Sequence, residues 1–383
     1  RGAGLSYTAG VVPSTPAVVI DCLRLKHIQV FAQDLYAAVG AGTTWQELAD
    51  ALKPNGLRAA QISPISGSHG TVGGVASQNL PGGLEHFICM TVVLADGTVI
   101  NAMNKMVKNN SGYDLKHLFI GSEGTLGIVT RVVLQLQPKS RSSHTALCAL
   151  NSYESVTKLL VELKRSLGSG LTGFELMWDS YYNKVLEVLP SLTSPFQENH
   201  TYYLLLEYKD NNQTLGAERF ESALFEQLES GLIDDALIAQ SHQDADKFWQ
   251  IRDGIGELFQ VLGPVSNQDV SLPLEQIGPF ADDLDQRLKA KYNNIGVLLF
   301  GHIGDNNLHV CAYTGRDEDK ARINEDIMLM IGEYAGAITA EHGIGVLKRD
   351  FLALSRTPSE IALMKTLKMA MDPKGILNPK RVI

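Results

Sequence analysis

Leu118-Phe119-Ile120-Gly121-Ser122-Glu123-Gly124-Thr125-Leu126-Gly127-Ile128 decides how the first third of this 383-residue chain is read. Its closely spaced glycines let successive backbone N–H groups wrap an anion without side-chain obstruction. Two more clusters precede it, Arg1-Gly2-Ala3-Gly4-Leu5-Ser6-Tyr7-Thr8-Ala9-Gly10 and Ser66-Gly67-Ser68-His69-Gly70-Thr71-Val72-Gly73-Gly74. Any one of them is equally a tight turn, but three in one region point to a phosphate-bearing cofactor. None is the strand–GxGxxG–helix nicotinamide fingerprint, and none is a Walker loop.

Outward from these loops, residues 1–140 carry short β-branched runs, Ala17-Val18-Val19-Ile20 and Met90-Thr91-Val92-Val93-Leu94-Ala95. Asp96-Gly97 after the second run, followed by Thr98-Val99-Ile100, predicts a hairpin. Thr44 and Glu47 have capping-box spacing at the head of a helix running to Leu52. Arg131 to Leu136 alternates as a strand, and Pro138 closes the region. Beyond it, amphipathic helical stretches at 151–167, 214–230 and 321–336 alternate with strands at Tyr202–Tyr208 and Val297–Phe300. That alternation predicts an α+β layer, sheet on one side and helices on the other. A last helix over 357–370 is capped by Thr357-Pro358-Ser359-Glu360 and stopped by Asp372-Pro373.

The length favours two or more domains. A net charge of −9 argues against a nucleic-acid partner, which needs a basic face. No apolar window is long enough to span a bilayer. Cys22, Cys89, Cys148 and Cys311 are far apart and form no CxxC pair, so they read as buried small hydrophobes in a reducing compartment. The expected location is cytoplasmic, with peripheral attachment at an inner membrane left open. The chain opens on Arg1-Gly2 inside what reads as a turn motif, so a preceding segment and any targeting signal in it are expected to lie outside this sequence.

Gly301-His302-Ile303-Gly304-Asp305-Asn306-Asn307-Leu308-His309-Val310 places two imidazoles about a turn. With Asp305-Asn306 as a two-residue turn, His302 falls directly opposite His309, their Cβ atoms roughly 4.5–5.5 Å apart. Glu341-His342-Gly343-Ile344-Gly345 then offers a carboxylate and a third imidazole. His302, His309 and Glu341 make the three-ligand set of a divalent metal with an open position, leaving His342 as a base. Read from spacing alone, the same histidines serve equally well as hydrogen-bonded core or surface residues.

Taken together, Ser66 to Gly74, Lys108-Asn109-Asn110-Ser111-Gly112-Tyr113-Asp114-Leu115-Lys116 and Leu118 to Ile128 resemble the flavin-domain motifs of vanillyl-alcohol-oxidase-type FAD enzymes. Gly301–Val310, Glu341–Gly345 and Asp372-Pro373-Lys374-Gly375-Ile376-Leu377-Asn378-Pro379 resemble the branch holding the FAD-linked D-lactate, glycolate and D-2-hydroxyglutarate dehydrogenases. The resemblance spans nearly the whole chain. It implies an α+β protein with three parts. These are a two-part, PCMH-type FAD domain over 1–140, incomplete at its N-terminus; an α+β cap with an antiparallel sheet over 141–350; and a C-terminal helical segment over 351–383 returning to the FAD domain.

The activity implied is oxidation of a D-2-hydroxy acid to the 2-oxo acid, with hydride passing from C2 to the flavin N5. FAD contacts are implied at Arg1, Gly2, Gly4, Ser6, Pro64, Gly67, Ser68, Thr71, Gly73, Gly74, Ser77, Glu123, Gly124, Gly127, Ile128 and Asn378. The metal, zinc or another divalent ion that accepts two imidazoles and a carboxylate, falls on His302, His309 and Glu341. His342 falls on the general base, and Arg252, Asn307 and Asn267 fall on substrate-binding positions. Electrons would pass to an external acceptor, whether an electron-transfer flavoprotein, a cytochrome or a quinone, and a homodimer stays open.

Two departures from the family pattern concern the substrate. Relatives that oxidise 2-hydroxyglutarate resemble one another in a Thr or Ser four residues after this arginine and a Lys fifteen after it; here stand Gly256 and Asn267. The expectation is a preference for monocarboxylic acids such as D-lactate or glycolate. Gly83-Leu84-Glu85-His86-Phe87 likewise replaces an Arg-Tyr-Gly stretch. Remaining alternatives are a D-2-hydroxyglutarate dehydrogenase proper, the catalytic subunit of a glycolate oxidase complex and, more distantly, a metal-dependent hydrolase.

Overall fold

The computed structural model describes the chain except residues 14, 61–68, 81–86, 104–105 and 107. It divides into two compact units, Arg1–Lys139 with Thr339–Ile383, and Ser140–Ile338.

In the first unit, β1 (Ile28–Phe31), β2 (Tyr36–Gly40), β3 (Leu57–Ala59), β4 (Phe87–Val93), β5 (Val99–Asn101) and β6 (Ile128–Pro138) form one sheet. Its order is β1-β2-β6-β4-β5, with β3 also on β6, and every pairing is antiparallel. The hairpin expected at Asp96-Gly97 joins β4 to β5, with Gly97 at φ 87°. The capping box at Thr44 forms in full and starts the helix Trp45–Leu52. Trp45, Leu48 and Leu52 from that helix, with Val72, Val75 and Ala76 from the helix Val72–Gln78, bury one face of β2, β4 and β6.

The run Ala17–Ile20 is not a strand. No described strand pairs with it, and Val18 is 92% exposed. β-branched residues favour a pleated, half-buried surface, so without a neighbouring ladder the propensity has nothing to act on.

The second unit holds β7 (Ser142–Leu150), β8 (Leu171–Trp178), β9 (Tyr202–Asp210), β10 (Asp235–Ile238), β11 (Ser266–Ser271), β12 (Gly296–His302) and β13 (Asn307–Tyr313). They form one antiparallel sheet in the order β10-β7-β9-β8-β12-β13-β11. Helices cover both faces of this sheet, not one. Alternate strand residues Leu147, Met177, Leu205, Phe300 and Cys311 pack against the helices Asp179–Val188, His242–Arg252 and Ile255–Val261. The opposite face, marked by Tyr208 stacked on Phe220, lies under the helix Gln213–Glu229 and its neighbour Tyr153–Leu167. Central strands such as β7, β9 and β12 are therefore apolar on both sides, and their periodicity does not reveal which face the helices take.

Candidate functional site

In the first unit, a cavity of about 640 Å³ is lined by residues of all three glycine clusters together with apolar side chains such as Val11, Ile20 and Val75. Arg1, Gly2, Gly4, Ser6, Thr71, Gly73, Gly74, Ser77, Glu123, Gly124, Gly127, Ile128 and Asn378 all line it. These are all the expected FAD contacts among the described residues; Pro64, Gly67 and Ser68 lie outside them. Thr71 caps the helix Val72–Gln78, its Oγ1 accepting from the Gly74 N–H at 3.2 Å. A Cβ on Gly73 would stand 2.5 Å from the Ala41 Cβ and 2.9 Å from its carbonyl oxygen. That close approach is what requires glycine there.

Glu123 does more than line the cavity. Its carboxylate oxygens accept from the backbone N–H groups of Ile344 at 2.6 Å and Gly345 at 2.9 Å. Burial pushes its pKa up, outweighing these two amides and the charge of Arg381. Thr8 Oγ1 donates to the His342 carbonyl at 3.3 Å, and the Tyr7 ring packs 4.6 Å from the His342 imidazole. Asn378 Nδ2 donates to the Glu123 carbonyl at 2.6 Å. The segment carrying the expected base is thus fastened by side chains from two of the three glycine clusters. The same segment carries the expected metal carboxylate, Glu341, which is buried with its Oε1 3.6 Å from His342 Nε2. Sequence reading placed Glu123 at the cofactor and did not foresee this second task.

In the second unit the β12–β13 hairpin differs from its expected register. Phe300, not His302, pairs with His309. The connection is a 3-10 turn over Ile303–Asp305 closed by Asn306 at φ 70°, so four residues turn the chain where two were expected. Ile303 fills that turn fully buried, which favours the longer loop over a tight Asp-Asn turn. The slip is two residues, and side chains alternate with a period of two, so His302 and His309 still share a face. Their rings lie 5.4 Å apart, inclined at 79°.

β8 supplies a residue that sequence reading missed. Glu175 is the ladder partner of His302. Its Oε1 accepts from His302 Nδ1 at 2.8 Å, and its Oε2 accepts from Arg252 Nε at 2.9 Å and lies 2.8 Å from Nη2 in the same ion pair. Arg252, last residue of the helix His242–Arg252, lies buried with its guanidinium 5.2 Å above the Phe300 ring. Burial raises the Glu175 pKa, but the charges of Arg252 and His302 outweigh it and hold the carboxyl down at about 2. The signal was present in Gly173-Phe174-Glu175-Leu176-Met177-Trp178, because a carboxylate inside an apolar strand is not buried without a partner.

With Nδ1–H given to Glu175, the neutral His302 ring carries its lone pair on Nε2. Arg252 Nη2 also reaches this ring, 3.5 Å from Nδ1 and 3.3 Å from Nε2. Two imidazoles on one sheet face, one of them backed by a carboxylate, fit a divalent ion of the zinc class. Asn307 is 5% exposed, and its Oδ1 has no hydrogen-bond partner among the described residues. A buried, unsatisfied amide of this kind calls for a ligand or water. Asn267 Oδ1 accepts from the Cys311 thiol at 3.3 Å, while a Cβ at Gly256 would meet nothing within 4 Å. No helix among the described residues is long and apolar enough to cross a membrane.

One antiparallel sheet beside a cavity lined in part by glycines, and a second antiparallel sheet clad in helices, make the vanillyl-alcohol-oxidase-type flavoprotein fold. Solved structures share the fold. An alkyldihydroxyacetonephosphate synthase matches all of this chain and 72% of its own at a TM-score of 0.72 and 16% identity. The 4-ethylphenol oxidase of Gulosibacter chungangensis matches 94% and 78% at 0.69 and 13% identity. The chain belongs to the FAD-linked oxidases: residues 139–382 match the family "FAD linked oxidases, C-terminal domain", and residues 1–103 match "FAD binding domain". It is therefore an FAD-dependent oxidoreductase. Similar proteins include the mitochondrial D-2-hydroxyglutarate dehydrogenase of Arabidopsis thaliana, 37% identical over all of this chain and 70% of that protein. The D-2-hydroxyglutarate dehydrogenase of Stutzerimonas stutzeri (strain A1501) is 31% identical over all of this chain and 84% of its own length.

Proposed function

We propose that the protein oxidises a D-2-hydroxy acid to its 2-oxo acid. The observation that carries this is the buried Arg252–Glu175–His302 cluster, which shares a sheet face with His309 in a chain of the FAD-linked oxidase family. FAD, when bound, would supply the acceptor for the C2 hydride, and His302, His309 and Glu341 would hold a divalent ion that would make the substrate hydroxyl more acidic. Arg252 gives its Nε–H to Glu175 and sets Nη2 against the same carboxylate. It keeps Nη1 for the substrate carboxylate, the 3.4 Å contact of that nitrogen with the exposed Asp253 being long and weak. Asn307 offers the substrate its unsatisfied amide. His342, held by Thr8, Tyr7 and the Glu123-anchored backbone, receives the hydroxyl proton, which suits an imidazole near neutral pH. The two electrons then leave to an external acceptor.

The relatives carry D-2-hydroxyglutarate in their names, and Gly256 and Asn267 point away from that acid for this chain. A second carboxylate would find neither a hydroxyl at Gly256 nor a cation at Asn267. One charge-assisted hydrogen bond is worth about 1.5–3 kcal/mol, so the loss of even one disfavours 2-hydroxyglutarate by about one to two orders of magnitude. Comparative kcat/KM values decide this: D-lactate or glycolate should exceed D-2-hydroxyglutarate, and a clear win for D-2-hydroxyglutarate overturns the substrate assignment.

A further inference from the structure

We infer that Glu175 is a positioning residue serving the metal ligand and the carboxylate anchor at once; this rests on the reading of His302 and Arg252 given above. The division of its oxygens is the key observation. An Arg–carboxylate pair made only for charge balance commonly closes as a two-pronged fork using both oxygens. Here both Arg252 contacts go to Oε2, and Oε1 is left for His302 Nδ1 at 2.8 Å. Glu175 and His302 are ladder partners on adjacent strands, so the contact is built into the register and not into a mobile loop.

A carboxylate on Nδ1–H does two things for an imidazole ligand. It fixes the tautomer and ring orientation that present Nε2, and it makes that nitrogen a stronger donor. The same carboxylate holds the Arg252 Nε edge, leaving the opposite Nη1 edge to a substrate carboxylate. One buried acid therefore sets the spacing between the atom that holds the metal and the group that holds the substrate.

The alternative is that Glu175 merely neutralises a buried arginine. Glu175→Gln alone leaves Arg252 uncompensated and can fail to fold, so the deciding variant is E175M/R252M, which removes both charges and replaces them with apolar volume. FAD-loaded, metal-stripped protein is titrated with zinc against a chelating dye, a readout independent of turnover. Removing the Arg252 cation by itself would favour a divalent ion nearby. Any loss in the double variant is therefore assigned to Glu175. Zinc affinity is expected to fall about 10–100-fold. Zinc binding equal to or tighter than wild type overturns this inference alone. Wild-type protein that takes up no zinc overturns the metal assignment and this inference together.

Discussion

In the first unit glycines at 2, 4, 73, 74, 124 and 127 line the cavity among apolar side chains, and the Glu123 carboxylate on its wall is turned onto the main-chain amides of Ile344 and Gly345. In the second unit the polar cluster is all side chain, with Glu175, Arg252, His302 and His309 set on one face of an apolar sheet. Where its glycines are closely approached, as at Gly73 and Gly127, this wall has no room for an added carbon, yet it stores little electrostatic energy. A side-chain cluster stores a great deal, and every member depends on the others. Substitutions should therefore fail differently in the two units.

The largest effect is expected at Arg252. Arg252→Met leaves Glu175 buried without its cation and should cost about 3–5 kcal/mol in urea unfolding, with E175M/R252M recovering most of it. If R252M unfolds like wild type, the cluster is not the interdependent unit described. Gly73→Ala comes next. Its Cβ would be driven against the Ala41 Cβ and carbonyl oxygen, overpacking that costs about 1–3 kcal/mol. FAD retention on gel filtration should fall while zinc affinity stays at the wild-type value; equal damage to both would erase the contrast between the units. Thr71→Ala is the smallest, about 1 kcal/mol for the lost cap of the helix Val72–Gln78, with Thr71→Ser near wild type in thermal melts.

Features fixed by near neighbours in the chain were legible from the residues themselves. The Thr44–Glu47 box and the Asp96-Gly97 hairpin are of this kind, and both form as read. The face shared by His302 and His309 also holds, because a two-residue slip preserves side-chain parity. Features set by distant partners were not legible. Ala17–Ile20 has strand propensity and no ladder to join. The hairpin register depends on Ile303 filling its turn. Glu175 acquires its meaning only once β8 lies beside β12 and the helix His242–Arg252 ends above them.

The most direct test is anaerobic mixing of FAD-loaded protein with D-lactate and with L-lactate, read by flavin absorbance, before and after metal stripping and again after zinc is restored. The expected outcome is bleaching by the D-acid, little by the L-acid, loss of bleaching on stripping and its return with zinc. Bleaching by the D-acid that is indifferent to metal removal, or equal bleaching by both enantiomers, would contradict the assignment of a metal-assisted D-2-hydroxy acid oxidation.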